Sequence, residues 1–250
     1  MRRLWLLFAP VVVTVGCTDG DDGNVDTGSG PRSPGRDTLQ VDCGGSVFDF
    51  DWLTDAPLIE SLADGPASAV DDAGAPAFDP TQDWRVVNQT DERVDLVREL
   101  DEPIDNGAGD VRTHESRTLA HITGASNVPE GTWLLVQAGP CAPRVVMDTD
   151  LEPADLVLAA EPAADATSID LLVHERACAS GQSAEGRIEV VDLDETGDQV
   201  RLRIGVRPRD GDQDCQGNPA TPFTIELSEA LGAREIVDAS ILPPRTVTTE

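Results

Sequence analysis

The sequence predicts a mainly β chain with minor α content (α+β): a small antiparallel sheet carrying one helix, then a small β-sandwich-like domain. Three observations carry that expectation. Short runs rich in Val, Ile, Leu and Thr alternate apolar and polar side chains, as half-buried strands require. Clusters of Gly, Pro, Asn and Asp separate these runs and supply turns. Cys43, Cys141, Cys178 and Cys215 form an even set of the kind that staples small exported domains.

The chain opens with a cationic pair, Arg2 and Arg3, before an apolar run over residues 4–15. A bilayer span takes roughly 20 residues, so the run is too short to cross and suits a signal-peptide core. It ends Thr14-Val15-Gly16-Cys17 and is followed by Thr18-Asp19-Gly20. That junction resembles the bacterial lipobox, differing at Thr14, where the pattern prefers Leu or another aliphatic residue. Thr14 and Gly16 also fit the small-x-small site of ordinary signal peptidase. The lipobox resemblance implies a signal peptide over residues 1–16, lipidation of Cys17, and attachment to the outer face of the cell membrane through that lipid. Residues 17–42, rich in Gly, Asp, Ser and Pro, then read as a disordered acidic tether.

With Cys17 assigned to the anchor, the four remaining cysteines allow three pairings. Cys43–Cys141 with Cys178–Cys215 is favoured, because each bond then closes within one expected domain. Loop entropy gives upper limits of about 4.7 and about 4 kcal/mol for the two bonds. No Cys/His spacing suits zinc.

The first domain is expected over residues 43–150. Thr54 or Asp55 caps a helix with Pro57 in its first turn and Leu58, Ile59 and Leu62 on one face, ended by Gly65-Pro66. Strands follow over residues 84–88, 94–100, 112–122 and 132–137, with turns at Asn106-Gly107 and Pro129-Glu130-Gly131. Trp84 and Trp133 read as core residues. Residues 151–167 are rich in Ala, Pro, Asp and Glu and read as a linker.

The second domain is expected over residues 168–250. Ile169, Leu171 and Val173 share one strand face, and Phe223, Ile225 and Leu227 another. Glu195-Thr196-Gly197 predicts a three-residue hairpin loop with Gly197 left-handed. In that register Val190 faces Leu202, Ile188 faces Ile204, and Glu189 opposes Arg203.

The formal charge is −29, from 47 acidic and 18 basic residues. Every basic residue is Arg; Lys and Tyr are absent. No basic stretch remains after export, which argues against nucleic acid and against electrostatic binding to anionic lipid. His114 and His121, seven apart on one strand, point to opposite faces, and with His174 they read as surface or edge histidines. No G-x-S-x-G, P-loop, HExxH or dinucleotide fingerprint occurs. Asp210, Asp212 and Asp214 alternate as in a calcium loop, but Cys215 and Thr221 stand where that loop needs Gly and Glu. Arg201, Arg203 and Arg207 share one strand side, where pairing with neighbouring carboxylates is the expected role. No cofactor and no catalytic residue are assigned.

The segments Glu175-Arg176-Ala177-Cys178-Ala179-Ser180-Gly181 and Cys215-Gln216-Gly217-Asn218-Pro219-Ala220-Thr221-Pro222 resemble a module of exported lipoproteins in high-GC Gram-positive bacteria, with an ERxCASG segment before a CxGNPxTP segment. The likeness covers residues 169–239. It implies export and a Cys178–Cys215 bond with both segments beside it, which makes Ser180, Gln182, Glu185, Asn218 and Thr221 a candidate ligand surface. The expectation for the whole is a membrane-anchored, non-catalytic module that binds an unknown envelope or extracellular partner. The alternatives are an extracytoplasmic hydrolase using dispersed carboxylates, and an accessory protein that captures Ca²⁺ or a solute.

Overall fold

The computed structural model of this chain describes residues 39–123, 129–147 and 150–249. The expected signal segment, Cys17 and most of the expected tether lie outside the described residues. The fold is mainly β, as predicted, and the described residues fall in one compact unit.

β1 (Gln40–Cys43) and β2 (Ser46–Asp49) form a hairpin whose first strand begins in the last three residues of the expected tether. Its turn, Gly44-Gly45, has φ of 66° and 84°, and a side chain at Gly44 would collide with the Ser116 hydroxyl. Only glycine satisfies both demands. β1 also pairs with β7 (Arg144–Val145), whose outer side is covered by residues 240–242 from the far end of the chain.

The expected helix is replaced by three single turns: α1 (Trp52–Asp55), a 3₁₀ turn (Ile59–Ser61) and α2 (Asp64–Ala67). Ala56 and Leu58 are extended on either side of Pro57, which interrupts the path. Gly65-Pro66 lies inside α2, with Pro66 in the first turn where its missing N–H costs nothing.

β3 (Arg85–Gln89), β4 (Arg93–Asp105), β5 (Val111–Ile122) and β6 (Thr132–Cys141) form an antiparallel sheet in sequence order, close to the four predicted strands. The turn segments cover one face over Trp84, Leu96, Leu119 and Trp133. The β1–β2–β7 sheet covers the other over Val87, Val97 and the Cys43–Cys141 bond. Both tryptophans are core residues, as expected.

Residues 151–167, expected as a linker, instead carry β8 (Glu152–Pro153) and β9 (Asp155–Leu158), and every β9 residue is buried. The Ala/Pro/Glu composition around it hides the apolar Leu156-Val157-Leu158 run. β9 joins β10 (Ser168–His174) and β13 (Thr221–Glu226) in one sheet. The facing sheet runs β11 (Ile188–Glu195), β12 (Gln199–Val206), β14 (Glu235–Asp238) and β15 (Arg245–Thr246), with β8 also paired to β12. Ile169, Leu171, Val173, Val200, Leu202 and Ile204 fill the space between the sheets. Burying apolar surface at about 25 cal/mol per Å² makes this the main stabilising term of the C-terminal half.

The β11–β12 hairpin departs from the predicted register. Val190 opposes Ile204, Ile188 opposes Val206, Glu189 opposes Gly205, and Arg203 faces Asp192. A bulge at Val191 accounts for the extra residue, and Gly197 is not left-handed. Val190 is consequently exposed rather than buried.

Candidate functional site

Both favoured disulfides are formed, with Cα–Cα separations of 5.3 Å for Cys43–Cys141 and 4.6 Å for Cys178–Cys215. The two segments of the resemblance meet at the latter. The Ser180 hydroxyl lies 3.0 Å from Gln213 Oε1 and accepts the Asp214 N–H at 3.0 Å. Thr221 accepts the Ala184 N–H at 2.8 Å, and the Asn218 amide donates to the Glu175 and Ala177 carbonyls. These groups hold the loops to one another. Gln182 and Glu185 are exposed, and neither converges with them on a cavity. Asp210, Asp212 and Asp214 are exposed too. Among the described residues, no three His, Cys, Asp or Glu side chains stand close enough to hold a metal.

Charged side chains gather in several clefts, and two of these each include a buried ionisable side chain, Arg144 in one and His114 in the other. The first, about 530 Å³, lies where the β1–β2–β7 sheet meets the C-terminal half and is lined by Arg112, Arg144 and Arg176. Val47, Val146, Met147 and Leu151 supply apolar walls, while Asp42 and Glu152 add carboxylates to the lining. Arg112 stands near the start of β5, Arg144 on β7, and Arg176 just after β10, so three separate elements bring them together.

Behind the guanidinium groups stand two carboxylates. Asp110 accepts from Arg112 at 2.7 Å and lies 3.5 Å from Arg176, and Asp155 pairs with Arg144 and with Arg176 at 3.0 Å. Burial pushes the Asp110 carboxyl up. Hydrogen bonds from Arg112 and Asn106, with the charges of Arg112 and Arg176, outweigh it and hold the group at about 2. Burial lowers the pKa of Arg144, partly offset by Asp155. Three cations thus share two anions. Arg112 and Arg176 keep about a third of their side-chain surface exposed, so planar N–H donors remain for a ligand.

The second cleft, about 500 Å³, lies between α1 and the β3–β4–β5 strands. Its lining includes Asp83, Arg85, Glu99, Asp101 and His114. His114 was expected at the surface or an edge but is only 9% exposed, because the β1–β2–β7 sheet and α1 cover this face of β5. Glu99 is its direct partner across the β4–β5 ladder. Burial lowers the His114 pKa below its ordinary value, with Glu99 opposing, so the ring is neutral at pH 7. Its Nδ1 lies 2.9 Å from the Thr113 hydroxyl. Thr54, which also lines the cleft, has the Asp51 carbonyl and the Asp55 carboxylate as the acceptors within reach of its hydroxyl, at 3.1 and 3.0 Å. A neutral imidazole here can accept a hydrogen bond or a proton. His121 lies on the opposite strand face, stacked 5.3 Å from Trp133, as the odd spacing predicts.

Sequence reasoning missed both clefts. Arg112, Arg144 and Arg176 carry no shared local pattern, and the only hint was that cations are scarce enough for any cluster of them to be informative. No protein-family model, curated protein or solved structure matches this chain.

Proposed function

We propose that this protein is a lipid-anchored extracytoplasmic binding module that receives the carboxylate or phosphate group of a solute in its arginine-lined cleft. The observation that carries the reading is the convergence of Arg112, Arg144 and Arg176 on one cavity in a chain of net charge −29. Arg is suited to this task because its planar fork binds oxyanions through paired N–H donors. The apolar walls fit a ligand whose anionic head is attached to a hydrocarbon body. Export and anchoring are supported by the signal-like segment, the lipobox-like junction and two disulfides, which persist in oxidising compartments. Envelope placement through the Cys17 lipid follows from the same features.

The test is calorimetric titration of the anchored chain in detergent at 0.15 M salt with octanoate and, separately, inorganic phosphate. Saturable binding of at least one, weakened about tenfold by Arg176→Gln, is the expected result, since a charge-assisted hydrogen bond contributes about 1.5–3 kcal/mol. Binding of neither probe, or binding indifferent to Arg176→Gln, overturns the reading of the cleft. A mature chain without thioether-linked lipid on Cys17 in mass spectrometry overturns the anchor.

A further inference from the structure

The second cleft presents acceptors without matching donors. Glu99 faces His114 across the ladder, and Asp83 and Asp101 line the same cavity. None of these three carboxylates forms an ion pair among the described residues, although eleven such pairs are found elsewhere in them. His114 is nine-tenths buried, with Nδ1 beside the Thr113 hydroxyl and no hydrogen bond to Nε2 among the described residues.

The nearby cations are already placed. Arg98 lines the cleft, but its guanidinium is bonded to Glu115 at 2.9 Å and lies 5.3 Å from the Trp84 ring centroid. Arg85 donates to the Ala56 carbonyl at 3.0 Å, leaving one guanidinium against three carboxylates along the cavity.

We propose that this cleft is a second, independent ligand site, one that takes the primary ammonium group of a small solute between Glu99 and the His114 ring. An ammonium carries three N–H donors and no acceptor, the complement of a carboxylate and a neutral imidazole nitrogen. The chain contains no Lys, so it has no ammonium side chain of its own to satisfy these groups. A metal ion is a poorer fit, because no three His, Cys, Asp or Glu side chains among the described residues stand close enough to hold one. A quaternary ammonium is poorer still, since it donates no hydrogen bond and the cleft lining offers no aromatic cage. The volume of about 500 Å³ lies in the range of small-molecule sites. Arg85, at one end, suits a solute whose far end carries an acceptor.

The test must separate this site from the general attraction of an acidic surface for cations. The anchored chain in detergent at 0.15 M salt and pH 7.5, where screening acts within about 8 Å, is titrated with propylammonium and with tetramethylammonium. The histidine ring signals are followed by NMR. Propylammonium is expected to shift His114 saturably while leaving His121 and His174 in place, and tetramethylammonium is expected to leave all three unmoved. Glu99→Gln, a near-isosteric change at an exposed position, is expected to weaken propylammonium binding about tenfold. Glu130→Gln, remote on the surface, is expected to leave it unchanged. Equal shifts with both cations, a non-saturating response, or unaltered binding in Glu99→Gln overturns the proposal. Glu99→Ser, at the same exposed position, provides the same readout if Glu99→Gln perturbs the fold. Octanoate and phosphate binding at the arginine cleft is measured separately, so failure of either site leaves the other standing.

Discussion

Arg144 and Asp155 form an ion pair with side chains only 8% and 6% exposed, linking β7 of the first half to β9 of the second. A buried pair adds little net stability, but removing one member leaves the other charge buried and unmatched. Asp155→Asn is therefore expected to destabilise the fold by about 3–5 kcal/mol. Arg144→Met combined with Asp155→Leu should recover much of that loss. Urea unfolding of the three proteins checks both statements.

The halves also approach through bare backbone. Gly109 has φ of +78°, and a Cβ there would sit 2.8 Å from the Leu156 carbonyl oxygen. Gly107 has nearly the same φ, +77°, with nothing within 4 Å of such a Cβ. Gly107→Ala should cost about 1–2 kcal/mol, the left-handed penalty alone. Gly109→Ala should cost more, because the backbone of Leu156 must also move. Equal losses in thermal unfolding would show that the close approach is unimportant.

Acid should weaken the fold in two windows. Asp110 sits at about 2 when folded against an ordinary 3.8, so its contribution is fully present above about pH 4 and lost as pH falls towards 2. With allowance for solvent screening, that contribution is about 1–2 kcal/mol and is absent in Asp110→Asn. His114 has a folded pKa below 6.5, so its neutral ring favours the folded state fully above pH 6.5 and loses that advantage as pH falls. Denaturant midpoints from pH 2 to 8, for wild type and each variant, test the signs. NMR titration should place the His114 midpoint below 6.5.

Trp84 is fully buried against two guanidinium groups, with Arg98 and Arg117 at 5.3 and 5.0 Å from its ring centroid. Glu115 holds both cations at 2.9 and 2.8 Å. Glu115→Gln should free them to swing away and destabilise the fold by about 2 kcal/mol, through lost charge-assisted bonds and weaker cation–π contact. Chemical unfolding monitored by circular dichroism measures this. No loss would mean the cations stay in place without their carboxylate.

Much of the strand pattern was legible. Ile169, Leu171 and Val173 alternate on one face and are all at most 1% exposed, as period-two reasoning requires. The disulfide pairing was legible as well, because of the three possible pairings it is the one in which each bond closes within one expected domain. The helix before β3 was misread, since Leu58, Ile59 and Leu62 have helical spacing but Pro57 breaks the path. The linker was misread because β9 is too short to outweigh its Ala- and Glu-rich flanks. Neither cleft was legible. His114 looked like an edge histidine because its covering layer, β1, β2 and α1, comes from more than fifty residues upstream.

What the amino-acid order determined by itself was mostly local: where strands alternate and where glycines turn the chain, with the pairing of four cysteines as the one long-range exception. Tertiary structure alone decided that Arg112, Arg144 and Arg176 would share two carboxylates, and that Glu99 would stand across from a buried imidazole. The physical reason is range. Backbone preference and side-chain periodicity act over a few residues, whereas charge pairing and desolvation depend on separations in space that exist only after distant strands have packed.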